Sequence, residues 1–401
     1  MPNVIHILSS VREGGVEQGL QTLVQEGFYD VANEFRIIEL VRGHGTYRNN
    51  LKKMMGDRMV TLIDRDEDFY ISTKDFFALV KKLHHTFRAI KPDTIVLSHS
   101  LANIIGRCAA MAHRKIKVIN FEHGTGKSSW LIRTLLKVTL WRADSTFGDS
   151  PETIKQRQPH YNIFKKPTHY VPLVVLKPGK VHGRMAPKLI KIVSLGQLAT
   201  RKNYAELIHA IIQLIKKDHN IQLTIAGEGH QRPLLESIIQ SAHENNPLLN
   251  LPNRITLPGF VGDKQTLNKL LASSDLYVQC SISEGFCIAT AEALAAGLPT
   301  ATTDFSGARD YGTESNIRLI EGTSRVEIEE TLRDMIVNYG KIAPLMSTAA
   351  LKTTKSSFSR QAVKEKWISG QQELLLPRHT HPYKHAPTVA TNLYRPSSMP
   401  Q

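Results

Sequence analysis

Short continuous apolar runs separated by helical periodicity dominate the chain. Val4–Leu8 is such a run, followed by the small-residue loop Ser9–Gly15 and by Val16, Leu20 and Leu23 at helical spacing. Phe35–Leu40 predicts a second strand, and Phe77–Ile90 a helix that stops before Lys91-Pro92. Thr94–Leu97 predicts a strand with His99 just past its end, Ala102–Ala112 a helix, and Lys117–Phe121 a strand. Apolar strands alternating with helices imply a parallel sheet covered on both faces.

The same alternation starts again after a polar stretch containing Pro178, Gly179, Gly183 and Pro187. Strands are predicted at Leu189–Leu195, Ile221–Ala226, Arg254–Leu257, Leu276–Gln279 and Thr300–Thr303. Helices are predicted at Asn203–Lys216, His230–Ala242, Gln265–Ser273 and Ile288–Ala296, and again at Ser357–Leu375. The expected division is residues 1–175, a linker at 176–188, residues 189–356, a helix at 357–376 that crosses back to the first domain, and a disordered tail at 377–401. Each half is a doubly wound α/β unit.

Composition narrows the classes. Of 401 residues, 41% are hydrophobic and 22% charged, so the bulk is neither disordered nor coiled coil. Cys108, Cys280 and Cys287 make no disulfide framework and no CxxC pair, which favours a reducing cytoplasm. Met1–Ser10 lacks the basic start of a signal peptide. The 51 Lys and Arg against 36 Asp and Glu, a net charge of +15, favour anionic partners. Trp130, Leu131, Leu135, Leu136 and Trp141 are interleaved with basic residues over Lys127–Arg142, a pattern suited to an anionic membrane surface. Arg48, Lys52, Lys53 and Arg58 form a second basic cluster around Leu51, Met54 and Met55.

The sharpest chemical signal is Ser283-Glu284-Gly285-Phe286-Cys287, running into Ile288–Ala296 with Glu292 inside it. Glu284 follows a strand's carboxyl end, where open α/β sheets bind ligands. Gly285 permits close backbone approach, and the amides of Gly285, Phe286 and Cys287 are expected to open a helix that receives an anion. Two turns of helix would bring Glu292 back to the same side as Glu284. Gly196-Gln197 leads to Arg201 and Lys202 at another strand-to-helix turn, where cations would hold a diphosphate. Gly14 and Gly15 occupy the first such turn, and His123 follows Lys117–Phe121.

These segments resemble the E-x7-E motif and associated turns of family-4 retaining glycosyltransferases of the GT-B fold. The resemblance runs from Val4 to about Leu375. Besides Glu284 and Glu292, it includes Gly14-Gly15-Val16-Glu17, Ser98-His99-Ser100, Glu122-His123-Gly124, Ala226-Gly227-Glu228-Gly229 and Leu257-Pro258-Gly259-Phe260-Val261. One departure stands out: Gln197 occupies the position where the family has arginine, with Arg201 nearby as a substitute.

The resemblance implies two Rossmann-like domains facing across a cleft. It implies Glu284 on the donor sugar, Glu292 on the ribose, Phe260 and Val261 at the base, and His123 by the anomeric carbon. A UDP- or GDP-sugar donor, a glycan or glycolipid acceptor and no cofactor follow from it. The expected role is bacterial envelope polysaccharide or lipopolysaccharide synthesis, in the cytoplasm or on the cytoplasmic face of the inner membrane. Nucleic acid is not an expected partner. A sugar-nucleotide epimerase or phosphorylase on similar domains, and a non-catalytic glycan- or membrane-binding scaffold, stay open as alternatives.

Two motifs fail on their spacing. Gly124–Ser128 looks like a phosphate loop but has Phe121 where the first glycine belongs, and Gly227-Glu228-Gly229 lacks a third glycine because Arg232 stands there. Asp64–Asp68 contains metal-type DxD patterns, but it reads as an exposed acidic turn, and no metal is expected.

Overall fold

The apolar runs become strands of two all-parallel sheets in a computed structural model, which describes residues 2–65, 71–123, 129–155, 164, 166–181 and 187–375. In the first half these are β1 (Asn3–Leu8), β2 (Glu34–Val41), β3 (Met59–Ile63), β4 (Thr94–Ser98), β5 (Lys117–Glu122), β6 (Ser145–Gly148) and β7 (Thr168–Tyr170). Their spatial order is β3-β2-β1-β4-β5-β6-β7. In the second half they are β8 (Ile190–Leu195), β9 (Ile221–Ala226), β10 (Ile255–Gly259), β11 (Leu276–Gln279), β12 (Thr300–Thr303) and β13 (Ile317–Ile320), ordered β10-β9-β8-β11-β12-β13.

Both orders reverse direction once, between β1 and β4 and between β8 and β11. At such a point the helices leave the sheet on opposite faces and open a crevice at the strands' carboxyl ends. Leu8 pairs with Ser98 in register, so the loops after β1 and β4 emerge side by side. The residues that carry chemistry all leave from these ends.

Burial explains why the helices form. In Tyr204–Lys216 the residues Leu207, Ile208, Ile211, Leu214 and Ile215 are all buried against the second sheet. In Thr73–Ile90 the residues Leu79, Leu83 and Phe87 are buried, and Ser72 with Asp75 closes its first turn as a capping box. The helix predicted at His230–Ala242 instead spans Arg232–Asn245, with Pro233 in its first turn, where proline's missing N–H costs nothing.

The final helix is Arg360–Leu375. Its Trp367 is fully buried beside Phe28 and Phe147 of the first half and donates from Nε1 to the Pro172 carbonyl at 3.2 Å. The stretch between β7 and β8 is packed as well. Leu173 joins the first core, whereas Val174 and Leu176 lie with Phe286 and Ile288, and Gly179 N–H donates to the Ala295 carbonyl at 2.7 Å. The expected disordered tail at 377–401 lies outside the described residues. So do Gly124–Ser128, Asp66–Asp68 and part of the expected linker.

Candidate functional site

A cavity of about 620 Å³ lies between the two halves, walled from both. Its first-half wall includes Gly14, Gly15, Gln18, Tyr47, His123 and Asp149. Its second-half wall includes Arg201, Lys202, Gly227, Phe260, Val261, Glu284, Gly285, Phe286, Cys287 and Glu292. Apart from His99, the residues expected at the site therefore face one space. His99, a weaker expectation, is not on this wall.

Glu284 is held by cations. Its Oε1 accepts from Lys202 Nζ at 2.6 Å, Arg201 Nη1 at 2.8 Å and Ser281 Oγ at 3.1 Å. Burial by itself would raise this carboxyl's pKa, but Lys202 and then Arg201 outweigh it and hold it below the ordinary value. Lys202 is itself buried, which favours its neutral form, yet the negative potential of its surroundings, Glu284 included, keeps it charged. Arg201 is half exposed at the cavity mouth.

Glu292 is held from both halves. Gln18 Nε2 donates to its Oε1 at 2.9 Å, and Lys264 Nζ reaches the same oxygen at 2.5 Å. The sequence offered no sign of Lys264. Gln18 could have been anticipated, because it lies in the first turn of the helix that Gly14 caps.

The turn between the two glutamates differs from expectation. The helix opens at Ile288, and Cys287 is its cap in the left-handed region, at φ 57° and ψ 78°. Gly285 and Phe286 therefore precede the helix and do not supply its first amides. Their carbonyls accept from Gly307 N–H at 2.7 Å and Tyr311 Oη at 2.8 Å, which pins the loop to the neighbouring helix Ser306–Tyr311. A side chain in the left-handed region costs about 1–3 kcal/mol and persists only where packing over-determines it. Cys287 is buried here and accepts from Thr290 Oγ1 at 3.3 Å. Glu284 and Glu292 share a wall through this kinked turn, not through two continuous turns of helix.

The glycines have separate reasons. A Cβ on Gly227 would fall 1.9 Å from the Gly196 carbonyl oxygen, so the loops after β8 and β9 can cross only without one. A Cβ on Gly14 would fall 2.5 Å from Glu17 Oε2. Phe260 stands edge-on to Tyr47 from the first half, with ring centres 6.4 Å apart. Tyr47 carried no signal in the sequence.

His123 sits at the end of β5. Its Nε2 is 2.9 Å from Ser98 Oγ, and its Nδ1 is 3.5 Å from Asp149 Oδ2. His99 has φ 76°, and its Nε2 is 3.7 Å from Glu17 Oε1. Burial, and then the neighbouring His123, push His99 down to about 3, so it is neutral at ordinary pH. Among the described residues no group of three or more His, Cys, Asp or Glu is arranged to hold a metal ion. No helix among them is long and apolar enough to cross a membrane.

Known proteins share part of this sequence and this fold. Residues 183–344 match the family described as Glycosyl transferases group 1. Protein CapJ of Staphylococcus aureus is 30% identical over 122 residues, which is 30% of this chain and 29% of CapJ. The matched stretch thus spans under a third of that relative. The crystal structure of Anabaena HepE with UDP and glucose superposes with a TM-score of 0.72 at 16% identity, covering 93% of this chain and 100% of HepE. The lipopolysaccharide outer core galactosyltransferase WaaB superposes with a TM-score of 0.67 at 14% identity, covering 91% of this chain and 98% of WaaB. The fold is GT-B.

Proposed function

We propose, from the match of residues 183–344 to the group 1 glycosyl transferases and from the GT-B fold, that the protein is a retaining glycosyltransferase. It would move a sugar from a nucleoside diphosphate to a hydroxyl of a glycan or glycolipid. The observation that carries this reading is the pairing of Glu284 with Lys202 and Arg201 on the wall that also holds Glu292. A bound diphosphate competes for both cations, which frees Glu284 to accept from sugar hydroxyls. The same cations stabilise the charge that grows on the leaving diphosphate. In this reading Glu292 takes the ribose, Phe260 and Val261 the base, Gly14 and Gly15 the diphosphate's other side, and His123 the sugar. Likeness to HepE, whose structure holds UDP and glucose, favours uridine over guanosine in the donor.

A lipid-linked acceptor fits the first half's surface. On the helix Trp130–Thr139 and the turn after it, Leu136 and Leu140 point inward, while Trp130, Leu131, Val138 and Trp141 are exposed beside Arg133 and Lys137. That face suits the headgroup region of an anionic bilayer. Together with the likeness to WaaB, it supports envelope polysaccharide or lipopolysaccharide synthesis on the cytoplasmic face of the inner membrane.

The test is transfer from a panel of UDP- and GDP-sugars to envelope glycans and glycolipids, with the product's anomeric configuration read by NMR. The expected product keeps the donor's configuration. An inverted product overturns retention, and nucleotide sugars that neither bind nor react overturn the whole reading.

A further inference from the structure

The hydroxyl of Ser98 lies between two histidines, 2.7 Å from His6 Nε2 and 2.9 Å from His123 Nε2. It has one proton and two lone pairs, so it donates to at most one ring, and if both rings donated to it His123 would face the Asp149 carboxylate with a bare Nδ1. The chain continues both ways. His6 Nδ1 is 2.9 Å from Tyr29 Oη, and His123 Nδ1 is 3.5 Å from Asp149 Oδ2. Tyr29, His6 and Ser98 are buried, and the side chains of His123 and Asp149 are only 7% and 6% exposed.

Two directions satisfy Ser98. In the first, Tyr29 donates to His6 Nδ1, His6 Nε2–H to Ser98 and Ser98 to His123 Nε2, which leaves His123 with its proton on Nδ1, facing Asp149. In the second, every donor reverses, and His123 turns a bare lone pair toward a carboxylate oxygen 3.5 Å away. In a low-dielectric interior that repulsion is strong, so the first direction wins. His6 does not upset the count by taking a second proton, because burial and then the neighbouring His123 and His99 push its pKa well down.

The far end of this chain is unfinished. His123 Nδ1 and Asp149 Oδ1 are both buried and have no hydrogen-bond partner among the described residues. Both residues wall the cavity. A donor N–H beside a carboxylate acceptor matches a hydroxyl, which accepts one hydrogen bond and donates another.

We propose that Tyr29, His6 and Ser98 form a one-way relay that fixes His123 as its Nδ1–H tautomer, and that His123 Nδ1 and Asp149 together bind one hydroxyl of the sugar in the cavity. Tyr29, His6 and Ser98 are positioning residues, and Asp149 sets which sugar is accepted. The hydroxyl subsite rests on the reading of the cavity as a nucleotide-sugar site. The relay does not.

The relay is tested on ligand-free protein labelled with 15N-histidine, using long-range proton–nitrogen correlation, with His123 assigned by its loss in His123→Gln. Wild type is expected to show the Nδ1–H tautomer. Ser98→Ala should release it, and Ser98→Thr should restore it. An Nε2–H or doubly protonated ring in wild type, or no change in Ser98→Ala, overturns the relay. The subsite is tested by the donor KM of Asp149→Asn against intact and singly deoxygenated sugars. The intact donor's KM should rise about tenfold or more, and one deoxy donor should show no difference between the two proteins. An equal rise for every donor overturns the subsite. Wild type that binds no nucleotide sugar overturns the subsite together with the proposed function, and the tautomer still decides the relay.

Discussion

Gln18 and Glu292 meet across the cavity, the first-half amide donating to the second-half carboxylate at 2.9 Å. With Lys264 on the same oxygen, Glu292 is a point where the two halves are tied together at the candidate site. Contacts to a ribose are similar before and during reaction, so they act as uniform binding. Glu292→Gln should therefore raise the donor KM about ten- to a hundredfold, the loss of a charged hydrogen bond, with little change in kcat. Gln18→Ala should raise it only a few fold, because Lys264 remains. Steady-state kinetics with varied donor checks both.

In the proposed role, Glu284→Gln should act on turnover, since contacts to the sugar would strengthen as charge develops on it. A drop of roughly a hundredfold in kcat is expected. It should also destabilise the fold. Lys202 is buried and would lose the carboxylate that faces it. A loss of about 1–3 kcal/mol is expected in denaturant titration. Unchanged kinetics in folded protein would remove the main support for the family-based role.

Asp310 gives the interface a pH dependence. Its Oδ1 accepts from Glu152 N–H at 3.0 Å, across the boundary between the halves. Burial pushes its carboxyl up to about 7, Ser150 and the Glu152 amide lower it, and the Glu152 and Asp149 carboxylates add to the rise. Arg309 on the same helix and Lys366 on the final helix are the cations nearby. Because the folded pKa is raised, this group's stability is complete below about pH 4 and is lost as pH rises through about 7. Asp310→Asn should therefore melt higher than wild type by a margin that grows between those limits and then levels off. A constant margin in thermal melts would contradict this.

Trp130 and Trp141 are 73% and 48% exposed. The protein should sediment with anionic vesicles at low salt and leave them at high salt, since screening shortens the reach of surface charge. Replacing Trp130 and Leu131 with serine should weaken that binding. Equal binding to neutral and anionic vesicles would contradict the surface assignment.

If Lys202 and Arg201, which pair with Glu284, serve as the proposed cations for the diphosphate, transfer should persist in excess chelator. Complete loss, restored by manganese or magnesium, would assign a metal to the site.

Much of the framework was legible because it is local. β1, β9, β11 and the helix Ile288–Ala296 follow from apolar runs and periodicity within a few residues, and so does the position of Glu284 past a strand end. The strands β3, β6, β7 and β13 were not predicted. Shortness alone is not the reason, since β11 and β12 also have four residues each, but β6 mixes polar and apolar residues and β7, Thr168-His169-Tyr170, is not apolar. Their state is set by the neighbour that pairs with them.

The site divides in the same way. Sequence alone marked the carboxylates, the cations Arg201 and Lys202 and the glycine turns, because residue type and spacing carry that chemistry. The partners of those groups depended on the tertiary structure. Lys264 and Gln18 meet Glu292 from 28 and 274 residues away, and Asp149 meets His123 from the next strand. The left-handed cap at Cys287 is likewise held by packing and not by its own preference. Contacts such as these exist only once two sheets have folded and closed on each other, so no local pattern encodes them.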